Sequence, residues 1–228
     1  MNKVEGLHHL AICTANMKEQ IEFFTEKLGM ELQALYWMHG VANTWHGFLR
    51  LNDESSIAFV CNPEIGKIPQ VLGESHAGNP GANSAAGTMQ HLALKVKNNE
   101  ELMAMRDRLR AKGVPVMGPI DHGMCVSIYF AGPETLSLEL SYSEEPINNA
   151  AWIDPEVVEL AGISAEELER YKNPAGFSDS SGTVPQPNVA EAPGPHMTNY
   201  PEGAYEAIMS VPDEQILHMV TNEPPVKV

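Results

Sequence analysis

Leu7–Ile12 reads LHHLAI and Met89–Leu94 reads MQHLAL; the shared HLA[IL] begins at His9 and again at His91, 82 positions later. Self-similarity at a fixed offset is the signature of a duplicated supersecondary unit. The residues downstream of each copy support that reading. Met17–Leu28 (MKEQIEFFTEKL) places Ile21, Phe24 and Leu28 on one helical face, with charges elsewhere and Gly29 as the stop. Asn99–Lys112 (NEELMAMRDRLRAK) does the same with Leu102, Met105 and Leu109; Asn98 or Asn99 is the N-cap and Gly113 the stop.

Three short alternating runs come next in each copy. They are Met30–Met38, Thr44–Leu51 and Ser56–Cys61, and in the second copy Val114–Gly118, Met124–Phe130 and Ser137–Tyr142. NDES (Asn52–Ser55) and AGPE (Ala131–Glu134) supply the turn residues before the last strand of each set. Each half therefore reads β-α-β-β-β. The predicted fold is α+β, two tandem βαβββ modules at about 4–62 and 88–143 within a paired domain over 1–143. The Gly/Asn/Ser-rich connector His76–Thr88 joins them. One such unit alone exposes an apolar sheet face and open edges, so pairing into a pseudo-twofold, concave mixed sheet is expected.

Residues 144–228 differ in character and read as a C-terminal helix plus a Pro-rich arm. Asp154 before Pro155 is an N-cap with proline at the first helical position, and Ser164 with Glu167 forms a capping box. The stretch 173–201 is dense in Pro, Gly, Ser and Asn, and 202–220 returns to a helical pattern.

Composition narrows the function classes. A chain of 228 residues with 43% hydrophobic and 19% charged content has enough apolar material for a core. Its net charge of −16 opposes binding to nucleic acid or an anionic membrane. No apolar segment reaches the length of a membrane span, the start lacks a signal-peptide pattern, and the three cysteines show no CxxC spacing. These features predict a cytoplasmic protein without disulfides or a zinc-thiolate site.

The repeat also predicts a site. His9 and His91 stand at the same place in the two halves, so a pseudo-twofold axis is expected to bring them together. Glu139, in LSLEL on the last strand, faces away from Leu138 and Leu140. Two neutral imidazoles and one carboxylate suit non-haem Fe(II) with open coordination positions; Mn(II) and Zn(II) are the alternatives. Aligning the last strands puts Ala58 where Glu139 sits, so no fourth ligand is expected. His8 points to the opposite face by alternation and is excluded from the ligand set.

With these residues in place, the two halves resemble the vicinal-oxygen-chelate superfamily of glyoxalases, bleomycin-resistance proteins, epimerases and extradiol ring-cleavage dioxygenases. Ile120–Glu139 (IDHGMCVSIYFAGPETLSLE) is similar to the extradiol signature, departing at Gly132 and Thr135. The resemblance implies that His9, His91 and Glu139 hold the metal, and that His122 and Tyr129 bind or polarise a substrate oxygen. It further implies an oxidoreductase of the dioxygenase type, acting with O₂ on a small catecholic or phenolic substrate, and a homo-oligomer. The alternative is Lewis-acid lyase or isomerase chemistry of the glyoxalase or epimerase type. In the ring-cleaving relatives a histidine precedes the last strand of the first half. Ser55 and Ser56 stand there instead, leaving His46 or His39 for acid/base work.

Overall fold

The computed structural model describes residues 4–177 and 182–227; part of the arm expected at 173–201 thus lies outside the described residues. The chain divides into two compact units. One spans Gly6–Ala161 and contains both predicted modules. The other is formed by the described parts of 1–5 and 162–228.

Module 1 comprises β1 (His9–Thr14), α1 (Met17–Glu22), β2 (Glu31–Trp37), β3 (Trp45–Arg50) and β4 (Ser56–Cys61). Module 2 comprises β5 (Leu92–Lys95), α2 (Asn99–Ala111), β6 (Met117–Asp121), β7 (Val126–Ala131) and β8 (Ser137–Tyr142). Each is a four-stranded mixed sheet, in the orders β1-β4-β3-β2 and β5-β8-β7-β6. The first strand runs parallel to the last in both, and the other pairs are antiparallel. The duplication therefore extends to topology.

Local chemistry explains the boundaries. The Asn16 side chain caps α1 by accepting from Glu19 N–H, and Asn98 caps α2 by accepting from Glu101 N–H. Beyond Glu22, α1 continues as a π-turn over Phe23–Lys27. The wider turn sends both adjacent aromatics inward. Phe24 packs on Phe59 at 5.1 Å between ring centroids, and Phe23 stacks on Phe130 of module 2 at 6.4 Å. The sixth strand begins three residues later than the sequence pattern predicts. Val114 and Val116 pack on the core before the ladder starts, and Pro119, lacking an N–H, falls where the register shifts between Met117 and Ile120.

The core lies between each sheet and its helix. Leu49, Ile57, Leu102, Leu109, Ile128 and Leu138 are fully buried there. Each contributes roughly 1.5–3 kcal/mol by leaving water. One face of each sheet is thereby committed to packing, and the polar strand residues are left on the other.

The modules meet through their helices and turns. Arg108 of α2 donates from Nε to Lys27 O at 2.7 Å and from Nη2 to Glu26 O at 3.1 Å, capping the end of the first helix from the opposite module. Glu134, in the turn before β8 with φ +54°, reaches the other way. Its carboxylate accepts from Thr14 Oγ1 (2.6 Å), Ala15 N–H (2.7 Å) and Gln20 Nε2 (2.8 Å). Among the described residues the two sheets are not hydrogen-bonded into one.

After β8 come two short helices, α3 (Asn149–Trp152) and α4 (Pro155–Leu160), the latter capped by Asp154. In the second unit, α5 (Ala165–Lys172) starts with the expected Ser164–Glu167 capping box, and α6 (Ala204–Met209) and α7 (Asp213–Ile216) are short. Among the described residues no helix is long and apolar enough to cross a membrane.

Candidate metal and substrate site

Module 2 gathers four of the six predicted site residues on one sheet face. Glu139 on β8 is almost fully buried, and its Oε2 lies 2.9 Å from Nε2 of His91, the residue just before β5. The other imidazole nitrogen of His91, Nδ1, hydrogen-bonds to Oε1 of the preceding Gln90. That neighbour fixes the ring so that Nε2 faces the carboxylate. Tyr129 is the register partner of Glu139 across β7–β8, and its ring lies 6.4 Å from that of His91. Burial first, then the Glu139 carboxylate, push the Tyr129 phenol above its ordinary range, so it is a proton donor at neutral pH.

His122 completes the group. It sits in the β6–β7 turn, where its N–H bonds to Cys125 O at 2.9 Å. Gly123 adopts φ +81°, and a Cβ there would come within 2.9 Å of the Trp152 ring. Both constraints call for glycine. The turn aims His122 Nε2 at Tyr129 Oη, 2.9 Å away.

Module 1 carries the remaining two, His9 and His46, on the equivalent face. His9 opens β1, and its Nδ1 lies 2.8 Å from Nδ1 of the preceding His8. This mirrors the Gln90–His91 pair in the other half. Its ring packs on Phe48 at 5.5 Å, and Phe48 in turn meets His46 at 5.6 Å and Tyr36 at 6.2 Å. His39 lies beside Tyr36 at 5.7 Å. His46 is nearly fully buried, and among the described residues nothing hydrogen-bonds its buried Nε2. Burial, then the neighbouring His9, hold its imidazole below the ordinary range, which keeps it neutral.

The registers bear out the strand alignment. Ala11 pairs with Ala58 in module 1 as Ala93 pairs with Glu139 in module 2. Ala58 thus takes the place of the carboxylate. Ser55 and Ser56 serve the turn and strand instead: Ser55 O accepts from Leu51 N–H, and Ser56 Oγ donates to Gln33.

One expectation is corrected. The pseudo-twofold was expected to bring His9 to His91 and Glu139 within the chain. Among the described residues, however, no three His, Cys, Asp or Glu side chains come together as a metal cluster. His9 neighbours His8, Phe48 and His46, while His91 neighbours Gln90, Glu139 and Tyr129. The cause lies in the packing between halves, which runs through Arg108, Glu134 and Phe23 rather than through the polar sheet faces. Sequence reasoning also missed the orienting role of His8 and Gln90. The signal was present: each immediately precedes a repeated histidine.

The sequence model of the Glyoxalase/Bleomycin resistance protein/Dioxygenase superfamily matches residues 6–140. No match was found among curated proteins. Among solved structures, a glyoxylase/bleomycin resistance protein/dioxygenase domain from Frankia sp. EAN1pec is 13% identical, with TM-score 0.48, and covers 62% of this chain and 100% of its own. A glyoxalase family protein from Enterococcus faecalis is 25% identical, with TM-score 0.45, covering 60% and 98% respectively. The trypanothione-dependent glyoxalase I of Leishmania major is 15% identical, with TM-score 0.42, covering 70% and 97%.

Proposed function

The chain belongs to the Glyoxalase/Bleomycin resistance protein/Dioxygenase superfamily, and from that membership we propose that it is a non-haem Fe(II) dioxygenase cleaving or oxygenating a small catecholic or phenolic substrate. The observation that carries the reading is the module 2 face. There a buried carboxylate, an imidazole aimed at it and a hydrogen-bonded His–Tyr pair stand together. The ligand-type pair and the proton-handling pair are adjacent, as an oxygen-chelating substrate requires.

The donors fit a divalent ion. With Nδ1 of His91 donating to Gln90, its Nε2 presents a lone pair toward the Glu139 carboxylate, an arrangement that a cation between them stabilises. His91 and Glu139 would hold the metal from this face. When bound, Fe(II) supplies a redox-active centre with open positions for two vicinal substrate oxygens and O₂.

This chain's own residues then manage the protons. Tyr129 Oη donates to His122 Nε2, which leaves the phenolic oxygen free to accept from a substrate hydroxyl. The substrate proton passes to Tyr129 Oη as the Tyr129 proton moves to His122 Nε2, and the resulting imidazolium offsets negative charge on the substrate oxygen. His122 thereby fills the acid/base role that Ser55 and Ser56 lack the chemistry to perform.

The test is anaerobic purification, metal analysis and an oxygen-electrode screen with catechols and hydroquinones. Iron with substrate-dependent O₂ uptake supports the reading. Zinc or nickel with no O₂ uptake overturns it in favour of Lewis-acid chemistry, and no bound metal at all overturns both.

A further inference from the structure

The superfamily match ends at residue 140, yet the compact unit that holds both modules runs on to Ala161. Sheet register decides where the added segment goes. Strands β7 and β8 are antiparallel with Val126 opposite Tyr142, so the chain leaves β8 beside the β6–β7 turn that carries His122. It then enters α3, four residues of helix capped by Asn148 and ending at Trp152. A helix this short does not hold itself in water, so its place depends on what its side chains touch.

Trp152 touches the turn. A Cβ built on Gly123 would lie 2.9 Å from Cη2 and 3.0 Å from Cζ2 of the indole, so the ring edge is seated on the bare glycine backbone. The indole stays 46% exposed, which makes core burial a small part of its role. His122, the residue before Gly123, is exposed as well, so burial does not fix its direction. Its aim at Tyr129 Oη comes from the turn, where His122 N–H bonds to Cys125 O and Gly123 N–H bonds to Asp121 Oδ1 at 2.8 Å. A cavity of about 430 Å³, lined by Met124 and Cys125 of the turn and by Trp152 itself, adjoins the contact. Open space on that side leaves the turn free to shift wherever the indole does not hold it.

We infer that Trp152 is a positioning residue. By bracing the β6–β7 turn at Gly123, it keeps His122 Nε2 at hydrogen-bond distance from Tyr129 Oη. Trp152 touches neither ring of that pair through a hydrogen bond and acts through the turn alone. The segment beyond the superfamily match thereby becomes part of the site rather than a tether to the arm. The inference rests on the His122–Tyr129 proton relay proposed above, and the experiment separates it from the dioxygenase reading.

Ring-nitrogen NMR of the full chain, prepared without added metal, reads the role directly, with His122 assigned by comparison with His122→Ala. In the wild type His122 is expected as the Nδ1–H tautomer, its Nε2 accepting from Tyr129. Trp152→Ala is expected to mix the two tautomers, and Trp152→Phe, which keeps an aromatic ring, to lie between. His122 nitrogen shifts unchanged from the wild type in both variants overturn the inference. Circular dichroism checks that the variants fold, and Trp152→Phe carries the test if Trp152→Ala does not. On a substrate found by the oxygen-electrode screen, Trp152→Ala is expected to lose up to about 10²-fold in kcat, with KM and bound iron unchanged. A rise in KM with kcat intact overturns the positioning role. A wild-type protein without O₂ uptake ends the dioxygenase reading, while the tautomer measurement, which needs neither metal nor substrate, still decides the role of Trp152.

Discussion

Modules 1 and 2 share an order of elements, a strand topology and a histidine at the entry to the first strand, held by the residue before it. They differ in what stands around that histidine. Module 2 surrounds it with Glu139, Tyr129 and His122, whereas module 1 surrounds it with Phe48, His46 and Tyr36 and has Ala58 in the carboxylate position. The difference teaches that two copies with the same topology diverged in the residues of one sheet face. One copy keeps the carboxylate and the hydrogen-bonded His–Tyr pair, and the other keeps the aromatic surface.

The sharpest way to break this comparison is to make the modules alike. Glu139→Ala copies Ala58 into module 2, and bound metal is expected to fall to background by elemental analysis, with unchanged circular dichroism. Retained metal would show that Glu139 is only a buried partner for His91. Next in size is His122→Ala, which on the proposed reading spares the metal ligands and removes the base for the Tyr129 proton. A fall of about 10²–10³ in kcat is expected, the scale of losing one oriented donor to a charged oxygen. Unaltered kcat would remove His122 from the chemistry.

A smaller effect tests the shared feature. Gln90→Ala frees the His91 imidazole to rotate and is expected to weaken metal affinity by about 10–100-fold, the range for residues that orient ligands. Unaltered affinity would show that the hydrogen bond from Gln90 does not orient a ligand. Smallest is the contact between modules. Glu134→Ala strands Thr14 and Gln20, and about 1–3 kcal/mol of stability is expected to go in urea denaturation. Glu134→Gly should lose less, because the left-handed backbone at φ +54° is relieved by glycine.

Much of this architecture was legible in the residues. HLA[IL] marked the repeat, alternation decided which side of β8 carries Glu139, and the caps at Asn98, Asp154 and Ser164 form as the spacing implies. Alignment of SSIAF with TLSLEL placed Ala58 correctly, because β-ladder register follows hydrophobic alternation. What escaped was long-range. Glu134 looked like one more turn residue, and nothing local announces that its carboxylate reaches Thr14, 120 positions away. Arg108 likewise read as an exposed helix charge although it caps the opposite module's helix. Those contacts decide which faces of the two halves meet, so the convergence of His9 with His91 was beyond what a repeat alone dictates. His8 was set aside by strand alternation, a rule for side-chain direction that says nothing about hydrogen bonds between adjacent rings.

Ala58 also has a consequence in charge counting. A divalent ion held, as proposed, against the single carboxylate of Glu139 would keep a net positive charge of about one, whereas a second carboxylate would bring the sum to zero. The chain as a whole carries −16 and repels anions at a distance. With that ion bound, a methyl group where the duplicate has an acid would leave a small island of positive potential in a negative molecule, an attraction for a ligand that arrives as, or becomes, a monoanion.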